Sequence, residues 1–204
     1  MRMIKRDEIA THLKRKNYRQ FRGHILNELR KAIENRYRLL LILAGDDHRK
    51  QAIILSDIVI NFLRIFLSHK DYARILYVYH DEFDDANLRK GIFNSLVKSY
   101  IKKKKINAKI ELAVYENSDK YLGTTYQALV MDLINSLRPL DIGRLVGVVE
   151  GGGIIVLLVP KWSEWHDRKN LFQMSLTVPQ HPEPRKVFVK WFKDITLNLS
   201  LIHI

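Results

Sequence analysis

The side chains best suited to chemistry in this sequence are acids that follow apolar runs. Asp132 ends the run in "QALVMDL" (127–133), and Asp46 and Asp47 follow the run "RLLLILAG" (38–45). In many nucleotide-binding proteins a buried strand that ends in aspartate holds a magnesium ion, which it shares with phosphate oxygens. Such a site also needs a phosphate-binding loop after another strand.

The loop after the first apolar run argues against a nucleotide site. It reads "AGDDHRKQA", with one glycine and two acids where a phosphate would lie. Neither G-x-x-x-x-G-K-[ST] nor G-x-G-x-x-G occurs in the chain. Because aspartate at a helix start caps free amides, we expect Asp46 and Asp47 to act as caps. We expect Asp132 to cap the next turn or to bond to a neighbouring loop, with no metal ion.

A second acidic loop, "HDEFDD" (80–85), offers five potential ligands in six residues. It lacks the ligand spacing and the central glycine of an EF-hand loop, so we expect a solvated loop that caps the following helix. No catalytic constellation is visible, since no serine lies in a G-x-S-x-G context. One alternative stays open, an enzyme in which five acids surround a metal ion: Asp46, Asp47, Asp81, Glu82 and Asp132.

The elements that must position these residues alternate between strands and helices. Apolar runs predict strands at 38–45, 74–80, 108–115, 127–133 and 153–160, with a candidate sixth strand in the last eight residues. Helical periodicity predicts helices at 49–68, 87–104 and 138–150. This alternation predicts an α/β fold, an open, mostly parallel sheet of five or six strands with helices on both faces. The fold would be Rossmann-like or RecA-like without a P-loop.

The sequence divides into two parts. We expect residues 1–37 to form a basic helical segment and residues 38–204 to form the α/β domain, in a single compact unit. The segment has an apolar stripe that should face the core, made of Leu13, Phe21, Ile25, Leu29 and Ile33. Near the end of the chain, 186–195 predicts an amphipathic helix with three aromatic side chains inward: Phe188, Trp191 and Phe192.

Glycines mark two further places. Gly143 and Gly147 lie four residues apart in the predicted helix 138–150, where a smooth strip would let the helix approach the sheet closely. The run of Gly151, Gly152 and Gly153 is expected to end that helix in a tight turn, in which glycine supplies a positive φ.

The charge distribution indicates a polyanionic partner. The net charge is +13 and the pI is near 9.9, which favours nucleic acid or an anionic membrane surface. Two patches could contact phosphates, although a solvated basic surface remains the alternative. Tyr18 and Phe21 interleave with the first patch and could stack on unpaired bases, although Phe21 is better suited to the core. The first patch comprises Lys14, Arg15, Lys16, Arg19 and Arg22, and the second comprises Lys98, Lys102, Lys103, Lys104, Lys105 and Lys109.

The chain contains no cysteine, which excludes disulfides, thiolate zinc sites and a cysteine nucleophile. No signal-peptide pattern is visible, and the apolar runs are too short to span a bilayer. We therefore expect a soluble, cytoplasmic protein without a membrane partner. The abundance of lysine, arginine, isoleucine and tyrosine also hints at a thermophilic source.

One block of the sequence resembles a known family. Residues 121–160, "YLGTTYQALVMDLINSLRPLDIGRLVGVVEGGGIIVLLVP", look like the most distinctive part of the N-terminal domain of the tRNA(Met) cytidine acetyltransferase family. The resemblance over 38–115 is one of pattern only, and the first 36 residues match no motif. The motif residues are Leu122, Gly123, Thr124, Asp132, Pro139, Asp141, Gly143, Arg144, Gly147, Gly151, Gly152 and Gly153.

The resemblance implies a specific function. Family members acetylate the exocyclic amine of cytidine in RNA with acetyl-CoA and ATP, and their ATPase, helicase-like and acetyltransferase modules lie C-terminal to this domain. It therefore implies a non-catalytic accessory domain without a cofactor of its own, which binds RNA, in particular tRNA, and packs against those modules. The alternative is a free-standing RNA-binding or protein-interaction protein of the same fold.

Overall fold

A computed structural model of the chain describes residues 13, 16–198 and 202–203. The described strands are separated along the chain by one or two helices each. The helices are α1 (Lys16–Asn35), α2 (His48–Phe66), α3 (Asp84–Lys104), α4 (Pro139–Leu145), α5 (Leu171–Ser175) and α6 (Val187–Asn198), with 3₁₀ helices at Tyr115–Tyr121 and Val146–Val148. The strands are β1 (Leu39–Ala44), β2 (Ala73–Tyr79), β3 (Ala108–Val114), β4 (Tyr126–Asp132), β5 (Val149–Val159) and β6 (Ile202–His203).

All six strands are parallel and lie in the order β3-β2-β4-β5-β1-β6. This confirms the predicted open, parallel α/β sheet. The sixth strand contributes two residues, which pair with Leu41 and Ile42 of β1. The main difference in bounds is at 138–150, where the predicted helix is shorter and β5 begins at Val149.

Alternate residues of each strand enter two different cores, one on each face of the sheet. Tyr77 and Val130 belong to the first core, together with buried residues of α1, α2 and α3. Val78 and Met131 belong to the second core, which α4, α6 and the first 3₁₀ helix cover. Helices therefore lie on both faces, as predicted. Among the described helices, none combines the length and apolar character that crossing a bilayer requires.

Helix α1 shares the first core with the sheet. Ile25 and Leu29 are buried there, and the ring of Tyr18 is only 7% exposed. The Tyr18 hydroxyl donates to Asp57 Oδ2 at 2.7 Å, and Arg22 Nε donates to the same atom at 2.8 Å. The prediction that Tyr18 could stack on bases is wrong, because its ring packs inside the protein.

In α6 the buried stripe differs from the predicted one. Phe188 and Phe192 pack against the second core as predicted, but Trp191 is 54% exposed. The stripe is centred on Val189, Phe192 and Thr196, and residue 191 lies about 200° round the helix from Val189. The predicted inward orientation of Trp191 is therefore wrong.

The prediction for Gly143 and Gly147 is also wrong. A Cβ atom at either position would meet no atom within 4 Å, so these glycines are not needed for a close approach. Helix α4 ends at Leu145, before the second of them.

The three consecutive glycines do have a steric role, although in a strand instead of a helix end. They lie in β5, which passes close to the end of α1. A Cβ at Gly151 would lie 2.5 Å from the Arg36 carbonyl oxygen, and one at Gly153 would lie 2.6 Å from the Gln127 carbonyl oxygen. Gly152 has the expected positive φ, +88°, and its N–H donates to the Tyr37 carbonyl at 3.0 Å.

Replacing Gly153 with alanine should therefore destabilise the protein by about 1–3 kcal/mol, the usual cost of overpacking. The matched control is Gly143→Ala, which adds the same methyl group in open space. It should leave the free energy of unfolding unchanged or raise it by about 0.4–1 kcal/mol. Urea denaturation of both variants measures the difference, and equal effects would contradict this role of the β5 glycines.

Candidate functional site

The carboxyl ends of β2, β3 and β4 form the edge at which open α/β sheets place their ligands. After β2 the chain crosses the first core through α3. After β3 and β4 it crosses the second core, through the first 3₁₀ helix and α4. In sheets of this class such opposite departures mark the position of the ligand-binding crevice, which corresponds here to the place beside the end of β2.

Asp132 lies in this crevice and is paired with a buried arginine. Arg89 of α3 donates from Nε to Asp132 Oδ2 at 2.7 Å and from Nη2 to Oδ1 at 2.9 Å. Both side chains are almost completely buried. The amide of Ile134 also reaches Oδ1, at 3.4 Å, so the predicted turn cap is present. The main partner of Asp132, an arginine 43 residues earlier in the sequence, was not predicted.

Arg89 has further partners through its other terminal nitrogen, Nη1. Its Nη1 donates to Asp85 Oδ2 at 2.8 Å and lies 2.6 Å from His48 Nδ1. The amide of Asn135 donates to Asp85 at 3.1 Å. The network therefore joins the starts of α2 and α3 to the end of β4.

Burial and the charge of Arg89 shift the pKa values of Asp132, Asp85 and His48. Burial raises the pKa of Asp132, and the Arg89 guanidinium opposes that rise. Burial acts in the same direction on Asp85, but Arg89 outweighs it and holds the pKa of Asp85 below its ordinary value. Burial and the charge of Arg89 lower the pKa of His48, which favours the neutral ring that can accept from Nη1.

The five acids of the alternative metal centre do not come together. Asp47 caps α2, accepting from the Lys50 amide at 3.0 Å, which confirms the predicted cap. Asp46 instead pairs with Arg168 at 3.1 Å and accepts from the Lys161 amide at 3.3 Å. Both follow β1, which is separated from β4 by β5.

The loop 80–85 was predicted to cap the following helix, and the structure shows no such cap. The residue that precedes α3 is Phe83, which offers no side-chain cap, and Asp84 and Asp85 lie in the first turn instead. His80 and Glu82 turn toward Glu116, which comes two residues after β3. Among the described residues, these three form the one group of histidines and acids spaced to hold a metal ion.

The second basic patch is exposed, with no salt bridge to any described residue. Lys102, Lys103 and Lys104 form the last turn of α3, and Lys105 ends the helix with φ of +51°. Because α3 runs back across the sheet, this end lies beside the start of β3, away from the Arg89 crevice. Lys98 and Lys109 flank the turn and are exposed as well.

The structure describes the first basic patch only in part. Lys14 and Arg15 lie outside the described residues, and for Lys16 only the backbone is described. Arg19 is exposed, whereas Arg22 is held by Asp57 and by Asn61, at 3.2 Å.

The other motif residues shape the segment between β3 and β5. Pro139 opens α4, and Asp141 accepts from the Ser118 hydroxyl at 3.1 Å. Arg144 donates to that hydroxyl at 3.2 Å, and burial raises the pKa of Asp141. Before β4, Gly123 has φ of +75° and Thr124 donates to the Tyr121 carbonyl, whereas Leu122 is exposed. The motif residues thus shape the turn before β4 and the helix that follows it.

Comparison with known sequences decides the family. Residues 12–204 match the family profile described as "tRNA(Met) cytidine acetyltransferase TmcA, N-terminal". The chain belongs to this family. It is 33% identical over 170 residues to the tRNA(Met) cytidine acetyltransferase TmcA of Thermofilum pendens, an alignment that covers 82% of this chain and 20% of that protein.

Other relatives carry the same name. The protein from Pyrococcus abyssi is 29% identical over 163 residues, covering 75% of this chain and 20% of its own length. The protein from Haloarcula marismortui is 44% identical over 62 residues, covering 30% of this chain and 8% of its own length. The chain thus spans about one fifth of the first two relatives.

The Arg89–Asp132 pair yields a stability prediction. Arg89→Met should lower the free energy of unfolding by about 3–5 kcal/mol, because it leaves the Asp132 carboxylate buried without a counter-charge. The double variant Arg89→Met/Asp132→Leu should recover much of that loss, since no lone charge stays buried. Denaturant unfolding measures both.

The control is Arg168→Met, which removes an arginine from a half-exposed pair with Asp46. It should cost less than about 1 kcal/mol. A loss at Arg89 as small as that of the control would contradict the assignment of a buried, interdependent pair.

Proposed function

We propose that this chain acts as the N-terminal accessory domain of an RNA cytidine acetyltransferase, adding RNA-binding and docking surfaces to the catalytic modules. The observation that carries the proposal is the family match over residues 12–204, in which the chain corresponds to one fifth of relatives named tRNA(Met) cytidine acetyltransferase. ATP and acetyl-CoA would bind outside this chain. The filled crevice supports this, because Arg89 occupies both oxygens of the strand-end acid. Action on tRNA would place the protein in the cytoplasm.

The exposed lysines at the end of α3 support the RNA-binding part. Four consecutive lysines, 102–105, have no acidic partner among the described residues, and Lys98 and Lys109 extend the same basic surface. Such ammonium groups bind phosphates and fix the position of a nucleic acid without reading its sequence. The relatives' name makes tRNA the substrate class to test.

Replacing Lys102–Lys105 with glutamine should weaken tRNA binding and flatten its salt dependence. If all four lysines bind phosphates of a paired region, the slope of log K against log salt should fall by up to about 3.6, which is about 0.9 for each phosphate no longer neutralised. Titration of labelled tRNA at several salt concentrations measures both quantities.

A quadruple variant with the same change of net charge is the control. It replaces lysines that already have polar partners, namely Lys31, Lys120, Lys161 and Lys186. Its affinity and salt slope should stay close to those of the original chain. If the two variants behave alike, the cluster is only part of a diffuse basic surface.

An apolar face of α6 supports the docking part. Val187, Trp191 and Ile195 recur every four residues and are 69%, 54% and 38% exposed. The opposite side of the helix already packs on the second core, so this helix is apolar on both sides. Exposed apolar patches of this kind mark contact surfaces. The occupant we propose is the helicase-like module that would follow in the same polypeptide.

This proposal predicts that the reading frame continues beyond residue 204. The continuation, produced separately, should bind the 204-residue chain. Trp191→Ser and Val187→Ser together should weaken that binding at least about tenfold, the loss of two interface anchors. The paired control, Lys190→Ser with Asp194→Ser, changes exposed residues on the same helix and should leave the affinity unchanged. A stop codon after Ile204 would favour the alternative, a free-standing RNA-binding protein.

A further inference from the structure

His80, Glu82 and Glu116 form a compact cluster at the rim of the crevice. One ligand atom from each residue lies within 4.8 Å of the other two. The sheet dictates this meeting, because β2 and β3 are neighbours in which Tyr79 pairs with Val114. His80 follows the first strand directly, and Glu116 comes two residues after the second.

The imidazole of His80 is buried but lacks the partners that burial demands. It is 6% exposed, and neither ring nitrogen makes a hydrogen bond to any described residue. Its ring is fixed between Tyr115, with centroids 4.7 Å apart, and Phe83, at 6.2 Å. Burying a polar atom without a hydrogen-bond partner destabilises the folded state. A ligand bound to Nδ1 would remove this cost.

Two carboxylates face this nitrogen without a cationic partner. Nδ1 lies 3.3 Å from Glu82 Oε1 and 3.6 Å from Glu116 Oε1. Neither glutamate pairs with a lysine or an arginine among the described residues, although the chain as a whole is strongly basic. Two like charges this close repel each other unless a positive charge lies between them.

We propose that His80 Nδ1, Glu82 and Glu116 bind one divalent transition-metal ion, best matched by Zn²⁺. Ligands about 2.0–2.1 Å from a tetrahedral zinc ion lie roughly 3.3–3.4 Å apart, which agrees with the two distances from Nδ1. A mixed set of imidazole and carboxylate donors favours zinc or manganese over calcium. The glutamates are about half exposed, so water or an anion can complete the coordination.

This assignment differs from the expectation that the loop 80–85 binds no metal. The loop by itself lacks a recognised ligand spacing. The third ligand, Glu116, lies 34 positions after Glu82 and just beyond the neighbouring strand β3, and the pairing of β2 with β3 brings it close.

Calorimetric titration of the 204-residue chain with ZnCl₂, after treatment with EDTA and dialysis, tests the proposal. One zinc ion should bind per chain. Glu82→Gln and Glu116→Gln should each weaken binding at least about tenfold, as expected when a metal site loses a ligand or its support. Both substitutions are at exposed, isosteric positions, so unfolding curves in EDTA should match those of the original chain.

Two controls separate this site from adventitious zinc binding. Glu164→Gln removes an exposed acid elsewhere, and His166→Asn removes a partly exposed histidine that contacts Asp167. Neither should change the affinity of the proposed site. Absence of zinc binding would overturn the proposal. Binding that survives the double variant Glu82→Gln/Glu116→Gln would overturn it too. The outcome is independent of RNA binding.

Discussion

The buried pair of Arg89 and Asp132 is the interaction on which the carboxyl edge of the sheet depends. It joins the first turns of α3 to the end of β4, and through Asp85 and His48 it also fixes Asn135 and the start of α2. A buried ion pair adds little net stability, because desolvation offsets the attraction between the charges. The pair instead fixes the position of α3 on the sheet. A shift of α3 would separate the two charges and leave both buried without a partner, which is strongly unfavourable.

The same pair directs where this scaffold can interact with other molecules. The crevice that most open α/β sheets use for a ligand is filled here by an arginine of the protein itself. The contacts proposed above all involve the periphery, which has three chemically different surfaces. These are the lysines at the end of α3, the apolar side of α6, and the rim where His80 meets two glutamates. They lie on different elements, so the proposed RNA, protein module and metal ion would not compete for one surface.

Local patterns in the sequence predicted most of the architecture, and contacts between distant residues account for what they missed. Continuous apolar runs gave five parallel strands, and Asp47 capped its helix, because both depend on neighbouring residues. Arg89 looked like any charged residue on a helix, since its partner is 43 positions away. Glu116 had no local signal either. The glycines of β5 were misread as a turn because their crowding comes from the backbones of Arg36 and Gln127.

The strand order has a consequence for how the chain is made. Of the six described strands β1 is the first to be synthesised, yet its two neighbours in the sheet, β5 and β6, are the last two. During translation its apolar sequence, "LLLILA", has no strand to pair with until residues 149–159 have emerged from the ribosome. The strands β2, β3 and β4 can assemble earlier. The nascent chain thus carries an unpaired apolar segment until β5 has been made, a state in which chaperone binding competes with aggregation.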